Sequence, residues 1–372
     1  MPRTLTLFID GLPFDQLEDM PFARSFESRA RLVPILGYSV NCQTMLFTGK
    51  SPDEIGFWCE WEYDPASSPF RRMRGLLRLL SLAELWYPAK RVVHKLLDRL
   101  RWVNCTKNIP LRYLADFNQT GLSVFDRGFD KPSLLDHPEM TSFLHWHYPI
   151  SPDRDEVMFE DVKKKIESEE DPGHILLMLA ELDHCSHVDG VGTESYSRVL
   201  ADNDRYIREL SEAFLTRYPD GNVLVVSDHG MSNIENFIEL ELEKQFGRPS
   251  ASSYAYFTEG TILRIWCRSP ELGEAIDAYL REIQGVARLT DDERLQQGIT
   301  QGSFGDLIYY SEDGYQFVPS FWGPKPSVGM HGHHPANRSQ HGVVLSTRQE
   351  NFPEQIGARD FYKVLESCLT AI

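Results

Sequence analysis

Long apolar runs are missing from this chain of 372 residues. No stretch approaches the roughly 20 apolar residues that a helix needs to cross a bilayer, so a membrane-spanning fold is not expected. The first ten residues lack the layout of a secretory signal, because their apolar run is short and ends in the carboxylate of Asp10. Cysteine is scarce. The six residues (Cys42, Cys59, Cys105, Cys185, Cys267 and Cys368) show no pairing rhythm and no Cys-x-x-Cys, which argues against a disulfide scaffold and leaves reduced thiols as the expectation. Positive charge is also in deficit: 38 Lys and Arg face 55 Asp and Glu, a net charge of −17. That balance speaks against nucleic acid as a partner. It also means that an anionic substrate needs local positive charge at its site, which bound metal ions would supply. Internal repeats and low-complexity tracts are absent. The expected location is cytoplasmic, or peripheral on the cytoplasmic face of a membrane.

What is present is an ordinary globular composition, 41% hydrophobic, in a chain long enough to bury a large α/β core. Short apolar runs predict buried strands at Leu5–Ile9, Ala30–Pro34, Ile175–Ala180, Val223–Ser227 and Gly342–Ser346. Helical patterns fall at Asn41–Phe47, 153–170, Tyr196–Tyr218 and Ala358–Ala371. The strand-helix-strand order predicts a mostly parallel α/β sheet flanked by helices. Residues 57–150 and 232–330 differ in character and read as two insertions in a single catalytic domain spanning 1–372. The second carries strand signals at Thr261–Trp266 and Asp306–Tyr310.

The first insertion is aromatic (Phe57, Trp58, Trp61, Tyr63, Phe70, Trp86, Tyr87 and Trp102) and basic. Nine Lys or Arg lie between Arg71 and Arg101, against Glu84 and Asp98. Pro88 opens a helix on which Val92, Val93, Leu96, Leu97 and Leu100 fall on one face, edged by Lys90, Arg91, Lys95 and Arg99. A helix packing its apolar stripe on the core accounts for this pattern. So does a peripheral contact, through 71–101, with an anionic membrane or a polyanionic substrate.

Chemistry-bearing residues cluster after the apolar runs. Val223–Val226 leads into Ser227-Asp228-His229-Gly230, and adjacent Asp and His at the carboxyl end of a strand can share one divalent metal. Gly230 is expected to let the backbone turn there. Phe8-Ile9-Asp10-Gly11 repeats the theme, although Asp-Gly is also a common turn. Ser39 stands just before a helix start, where a hydroxyl serves as a helix cap or as a nucleophile whose anion the helix terminus stabilises. Asp183 and His187 are four apart, so one helical turn aims both at one ion, with His184 and Asp189 competing for that role. In Gly329-Met-His331-Gly-His333-His334-Pro335, one ligand is expected from three histidines, because close neighbours cannot all face one ion.

Taken together and in order, these motifs resemble the alkaline phosphatase superfamily, in its type I phosphodiesterase/nucleotide pyrophosphatase branch. The similarity runs over most of the chain. Asp10-Gly11 follows the first strand, Ser39 sits nine residues before Thr48-Gly49 with Pro52 beyond, and Asp183, His187 and Gly190 match an Asp-x-x-Gly-His-x-x-Gly motif with Ser186 at its first glycine. Ser227-Asp228-His229-Gly230-Met231 matches letter for letter, and His331-Gly332 supplies the late His-Gly. A sulfatase is disfavoured, since no Cys-x-Pro-x-Arg motif is present.

The resemblance implies an alkaline-phosphatase-like core with inserted caps and a metal-dependent phosphoric ester hydrolase. It implies two divalent ions, zinc by ligand type with manganese or iron as substitutes. One would be held by Asp10, Ser39, Asp228 and His229, the other by Asp183, His187 and His331. Ser39 would be the nucleophile and pass through a phosphoserine. Where nucleotide pyrophosphatases carry a phosphoryl-contacting asparagine, this chain has Glu60, a carboxylate that would repel a phosphate unless it is neutralised. Asn41 is then a substitute donor to the phosphoryl oxygen. The expected substrate is a small-molecule or lipid-linked phosphate ester. A phosphomonoesterase on the same core is the alternative, with a noncatalytic membrane-peripheral protein as the reading from another class.

Overall fold

The computed structural model describes residues 3–82, 87–101, 109–119, 123–125, 129–168, 170–250, 252–323 and 325–370. Glu84, Trp86, Trp102, Cys105 and Ala371 lie outside the described residues, as do the side chains of Tyr87, Pro88, Asp98, Leu100 and Arg101. The chain divides into two compact units, one of Met1–Ser51, Leu122–Asn233 and Ser327–Ile372, the other of Pro52–Gly121 and Ile234–Pro326.

The first unit is built on a seven-stranded sheet. In chain order its strands are β1 (Thr4–Ile9), β2 (Ser28–Val33), β3 (Met140–Phe143), β4 (His174–Leu179), β5 (Asn222–Val226), β6 (Gly342–Ser346) and β7 (Gln355–Gly357). They lie in the order β7-β2-β6-β5-β1-β4-β3. Neighbours pair in parallel except β6, which runs antiparallel to both β5 and β2. The predicted mostly parallel sheet is therefore present, and its central strands read as continuous apolar runs because helices cover both faces.

On one face Leu5, Leu7 and Ile9 of β1 share a core cluster with Ile175, Leu177 and Leu179 of β4 and with Val223 and Val225 of β5. Helices α2 (Arg154–Glu167) and α4 (Glu194–Arg217) close that side through Phe159, Val162, Ile207, Leu210 and Phe214. Side chains alternate along a strand, so Phe8 points to the opposite face and meets Phe47 of α1 (Ser39–Thr48), with ring centroids 6.1 Å apart. Alongside α1 runs α5 (Ala358–Thr370), whose Cys368 carbonyl accepts the Thr4 hydroxyl at 3.0 Å.

The second unit answers why two sequence segments break the α/β pattern. The two segments bury one aromatic cluster jointly. Trp61, Phe70, Leu111 and Phe117 from the first segment share one cluster with Phe257, Trp266 and Phe321 from the second. Phe117 lies 5.0 Å from Phe257 and 5.8 Å from Trp266 by ring centroids. A four-stranded antiparallel sheet carries the second segment, in the order Tyr254–Thr258, Ile262–Cys267, Leu307–Ser311, Val286–Arg288.

These units differ from the expected insertion boundaries. The span 57–150 reaches too far, because Met140–Phe143 pairs with β4 in the main sheet. The span 232–330 overruns at both ends, because Ser232–Asn233 and Gly329–Met330 pair with each other within the first unit. The basic helix, Tyr87–Arg101, is also rotated from expectation. Leu97 and His94 are buried and Val93 is partly so, while Val92 and Leu96 face solvent. The apolar arc is wider than the contact surface, and the helix docks by its His94–Leu97 side.

His174 illustrates how burial sets a pH limit on the first unit. It opens β4, and its Nδ1 accepts the Thr4 N–H at 3.2 Å. Burial, aided by His137 and Arg3, pulls its imidazolium down to about 4. The unfolded chain takes up this proton below about pH 6.5, whereas the folded chain resists it. The stabilisation is thus complete above that value and is lost as pH falls toward the folded pKa. Thermal melts should show a lower midpoint near about pH 5 than near about pH 7, and His174→Asn, which keeps an acceptor but cannot protonate, should lose part of that difference.

Candidate active site

Parallel pairing brings three strand ends to one edge of the sheet. The register that sets Phe8 beside both Val226 and Met178 carries Asp10, just past β1, level with Asp228, two residues past β5. Beyond β4 the chain turns at Ala180 into α3 (Glu181–Val188). Its single turn between Asp183 and His187 points both inward, while His184 and Asp189 are exposed. Of the two pairs, Asp183 and His187 are the one that stands beside the other site residues. Ser39 forms the first residue of α1, which extends two residues ahead of the predicted start and ends at Gly49 in a left-handed conformation.

The side chains converge. Ser39 Oγ lies 2.8 Å from His229 Nε2. The same nitrogen is 3.4 Å from Asp10 Oδ1 and 3.6 Å from Asp228 Oδ2. Asp183 Oδ1 is 3.4 Å from His187 Nε2 and 3.8 Å from His331 Nε2. The His229 and His331 rings stack with centroids 3.7 Å apart, which ties the two groups together. Among the described residues, ligand atoms within 4.8 Å of one another form two trios, Asp10–Asp228–His229 and Asp183–His229–His331. In the second trio His229 takes the place expected for His187, which stands beside Asp183.

Tautomers follow from the backbone. His229 Nδ1 is 2.8 Å from the Gly230 carbonyl and His187 Nδ1 is 2.8 Å from the Gly329 carbonyl. A carbonyl only accepts, so both Nδ1 atoms carry protons and both Nε2 atoms face the carboxylates. This is the arrangement that orients a metal-binding histidine. A Ser-His-Asp triad is different: its acid binds the imidazole nitrogen remote from the serine. Here Ser39, Asp10 and Asp228 all crowd the same nitrogen.

Three carboxylates this close repel one another. Burial and then Asp228 push Asp10 up to about 6, and burial followed by Asp10 raises Asp183. Burial and the charge of Asp183 likewise raise Asp228. Burial alone would lower His229, but Asp228, Asp10 and Asp183 outweigh it and push it up to about 10. His331 falls well below the usual range through burial and its histidine neighbours. The proton that the carboxylates hold on His229 thus occupies the place a dication would take. Asp10 Oδ1 and Asp183 Oδ1 are buried oxygens that meet imidazole nitrogens at 3.4 Å or more but accept no hydrogen bond, and acceptors so placed suit a metal. The donor set of carboxylates and imidazoles without thiolate fits zinc.

Supporting residues hold this geometry. Gln43 Nε2 donates to Asp228 Oδ2 at 3.0 Å, and Cys42 Sγ donates to the Asp228 carbonyl at 3.0 Å. Ser227 Oγ accepts the Leu12 N–H and donates to the His229 carbonyl, both at 2.8 Å. Sequence reasoning overlooked Gln43 and Cys42. The available signal was that Gln43 lies one helical turn after Ser39. Asn41 is buried on α1, and its amide Nδ2 donates to nothing. Glu60 is half-buried in the second unit, directly before the strand Trp61–Tyr63. Of the three late histidines, His331 alone lies beside Asp183, while the His333 N–H is taken by Gln340 Oε1 at 3.2 Å and His334 Nδ1 accepts the Ala336 N–H.

Gly11 and Gly230 are among the glycines whose places leave no space for a side chain. Gly11 has φ +70°, and a Cβ there would lie 3.0 Å from the Asp183 Cβ. The expectation for Gly230 was conformational freedom, but it does not have a positive φ. What excludes a side chain is the Ser339 carbonyl oxygen, 2.0 Å from where a Cβ would stand.

A model of the type I phosphodiesterase / nucleotide pyrophosphatase family matches residues 4–336. No curated protein sequence matches the chain. Among solved structures, murine ectonucleotide pyrophosphatase / phosphodiesterase 5 in an inactive form complexed with AMP is similar at a TM-score of 0.64 and 16% identity, covering 100% of this chain and 96% of that one. The human ectonucleotide pyrophosphatase / phosphodiesterase 5 is similar at a TM-score of 0.64 and 15% identity, covering 99% and 95%. At these identities the likeness shows the shared fold.

Gly230→Ala should lower the unfolding free energy by roughly 1–3 kcal/mol, because the methyl must displace the Ser339 backbone. Gly75→Ala is the control. No atom lies within 4 Å of its added Cβ, so chemical denaturation should find it neutral or stabilised by about 0.5–1 kcal/mol.

Proposed function

We propose, since the chain belongs to the type I phosphodiesterase/nucleotide pyrophosphatase family, that this hydrolase cleaves a phosphoric diester or pyrophosphate with Ser39 as nucleophile and two divalent metal ions, most simply zinc. The observation that carries this reading is the meeting of Ser39 Oγ, Asp10 and Asp228 at one nitrogen of His229. Asp10, Ser39, Asp228 and His229 would hold one ion. Asp183, His187 and His331 would hold the other, with His229 at the seam between them. Bound dications supply Lewis-acid chemistry, lowering a hydroxyl pKa and neutralising charge on the phosphoryl oxygens.

The chain's own residues do the rest. Ser39 presents its hydroxyl at the N-terminus of α1, which has no side-chain cap and where the helix dipole favours an anion. Ser39 Oγ attacks phosphorus, the bond to the leaving oxygen breaks, and a phosphoserine forms. Water then hydrolyses that ester and restores the hydroxyl. Asn41, with a buried and unoccupied amide donor, hydrogen-bonds a phosphoryl oxygen. Gln43 holds Asp228 in its ligand orientation. The AMP bound by the murine neighbour supports a nucleotide-sized ligand. A lipid-linked phosphate ester fits the same chemistry. A role for Glu60 in substrate binding rests on its spacing from Ser39.

Ser39→Ala should lower kcat on bis-p-nitrophenyl phosphate by at least about a thousandfold. Chelation should abolish wild-type activity, and zinc should restore it. Active protein without metal by elemental analysis would sink the mechanism, and faster turnover of p-nitrophenyl phosphate than of the diester would favour a phosphomonoesterase. Gln43→Leu leaves Asp228 without its side-chain donor. Zinc titration calorimetry should find its affinity weakened about 10- to 100-fold, with the circular dichroism spectrum unchanged.

A further inference from the structure

Two helices of the second unit, Arg74–Leu80 and Tyr87–Arg101, are anchored in one aromatic cluster, by Leu77 and by Leu97 with Val93. Their other sides are unusual for a water-facing surface. Leu76, Leu79 and Leu82 are 48%, 65% and 66% exposed, and Val92 and Leu96 are 68% and 54% exposed. These are five of the thirteen large hydrophobic residues exposed among the described residues, concentrated in a small fraction of the chain. Cations are interleaved with them. Arg71, Arg72, Arg78, Arg91, Lys95 and Arg99 are all exposed. On the longer helix, Lys95, Leu96 and Arg99 fall three, four and seven residues after Val92, and so share its outward face. Residues 71–101 hold nine Lys or Arg against two acids, in a chain whose net charge is −17.

We infer that this surface docks on an anionic lipid bilayer, with the leucines and Val92 entering the headgroup boundary and the arginines and lysines meeting lipid phosphates and carboxylates. Apolar side chains interspersed with cations supply the two signals that peripheral binding requires. A purely electrostatic partner leaves the five aliphatic side chains unexplained, and a purely apolar partner leaves the interleaved cations unexplained. No helix among the described residues is long and apolar enough to cross a membrane, so the contact is on the surface.

Flotation of the full chain with vesicles tests this. The wild type should bind phosphatidylcholine vesicles that contain phosphatidylserine and should not bind phosphatidylcholine alone, and salt should weaken binding. The double change Leu79→Asp with Leu96→Asp should lower the partition coefficient at least about tenfold, as should Lys95→Glu with Arg99→Glu. Both variants should keep the wild-type melting midpoint and the hydrolysis of a soluble ester, since these side chains face solvent. Failure of the wild type to bind anionic vesicles overturns the inference, as does equal binding to neutral ones. Retained binding by the folded leucine variant also overturns it, and with retained capture on heparin that result reassigns the patch to a soluble polyanion. Concentration-dependent dimers that the leucine variant abolishes, without vesicle binding, reassign it to a second copy of the chain.

Discussion

Mutual repulsion among Asp10, Asp183 and Asp228 is the constraint on which the first unit turns. Asp10 and Asp228 stand just past the ends of β1 and β5 and Asp183 on the first turn of α3 after β4, and parallel pairing of these strands brings the three together. Such a cluster is costly unless positive charge offsets it. Within the protein the offset comes from His229, whose imidazolium three carboxylates hold far above its ordinary range. The same crowding suits the cluster to a divalent cation. The supporting contacts around it all restrain geometry: Gln43 and Cys42 on Asp228, Ser227 between Leu12 and His229, and backbone carbonyls on the Nδ1 atoms of His187 and His229.

The second unit is held by a different principle. Its aromatic core draws on both long segments that leave the α/β pattern, so neither segment is an independent insertion. Arg264, fully buried beneath Trp58, Phe257 and Trp266, donates to the Trp61 carbonyl at 2.6 Å and lies 3.5 Å from Glu259. Through the Trp61 carbonyl this buried guanidinium links the second segment to the first.

Much of this was legible before folding. The buried strands Leu5–Ile9 and Gly342–Ser346 match the observed strands nearly residue for residue, because continuous apolar runs of strand length have few other uses in an α/β chain. The long helix predicted at Tyr196–Tyr218 spans Glu194–Arg217, where the Thr193 hydroxyl accepts the Tyr196 N–H and caps its start. Less legible were features set by distant packing. Periodicity placed Val92 and Leu96 on the apolar side of their helix, but periodicity does not say which part of a wide arc meets the core. The edge strand Met140–Phe143 was hidden inside an aromatic and polar stretch, since an edge strand needs only one partner to be recruited.

The sequence by itself determined the chemistry on offer. An acid or imidazole follows three apolar strands, a serine opens a helix, a late His-Gly completes the set, and the order of these motifs marks the family. Such motifs are local, because each turn needs only its own few residues. Tertiary structure alone decided which atoms meet. The choice of Nε2 over Nδ1 at His229, the placement of His229 between two trios, the recruitment of Gln43, and the need for glycine at 230 all depend on backbone from distant parts of the chain. Those contacts are fixed by packing and strand register, which no local pattern encodes.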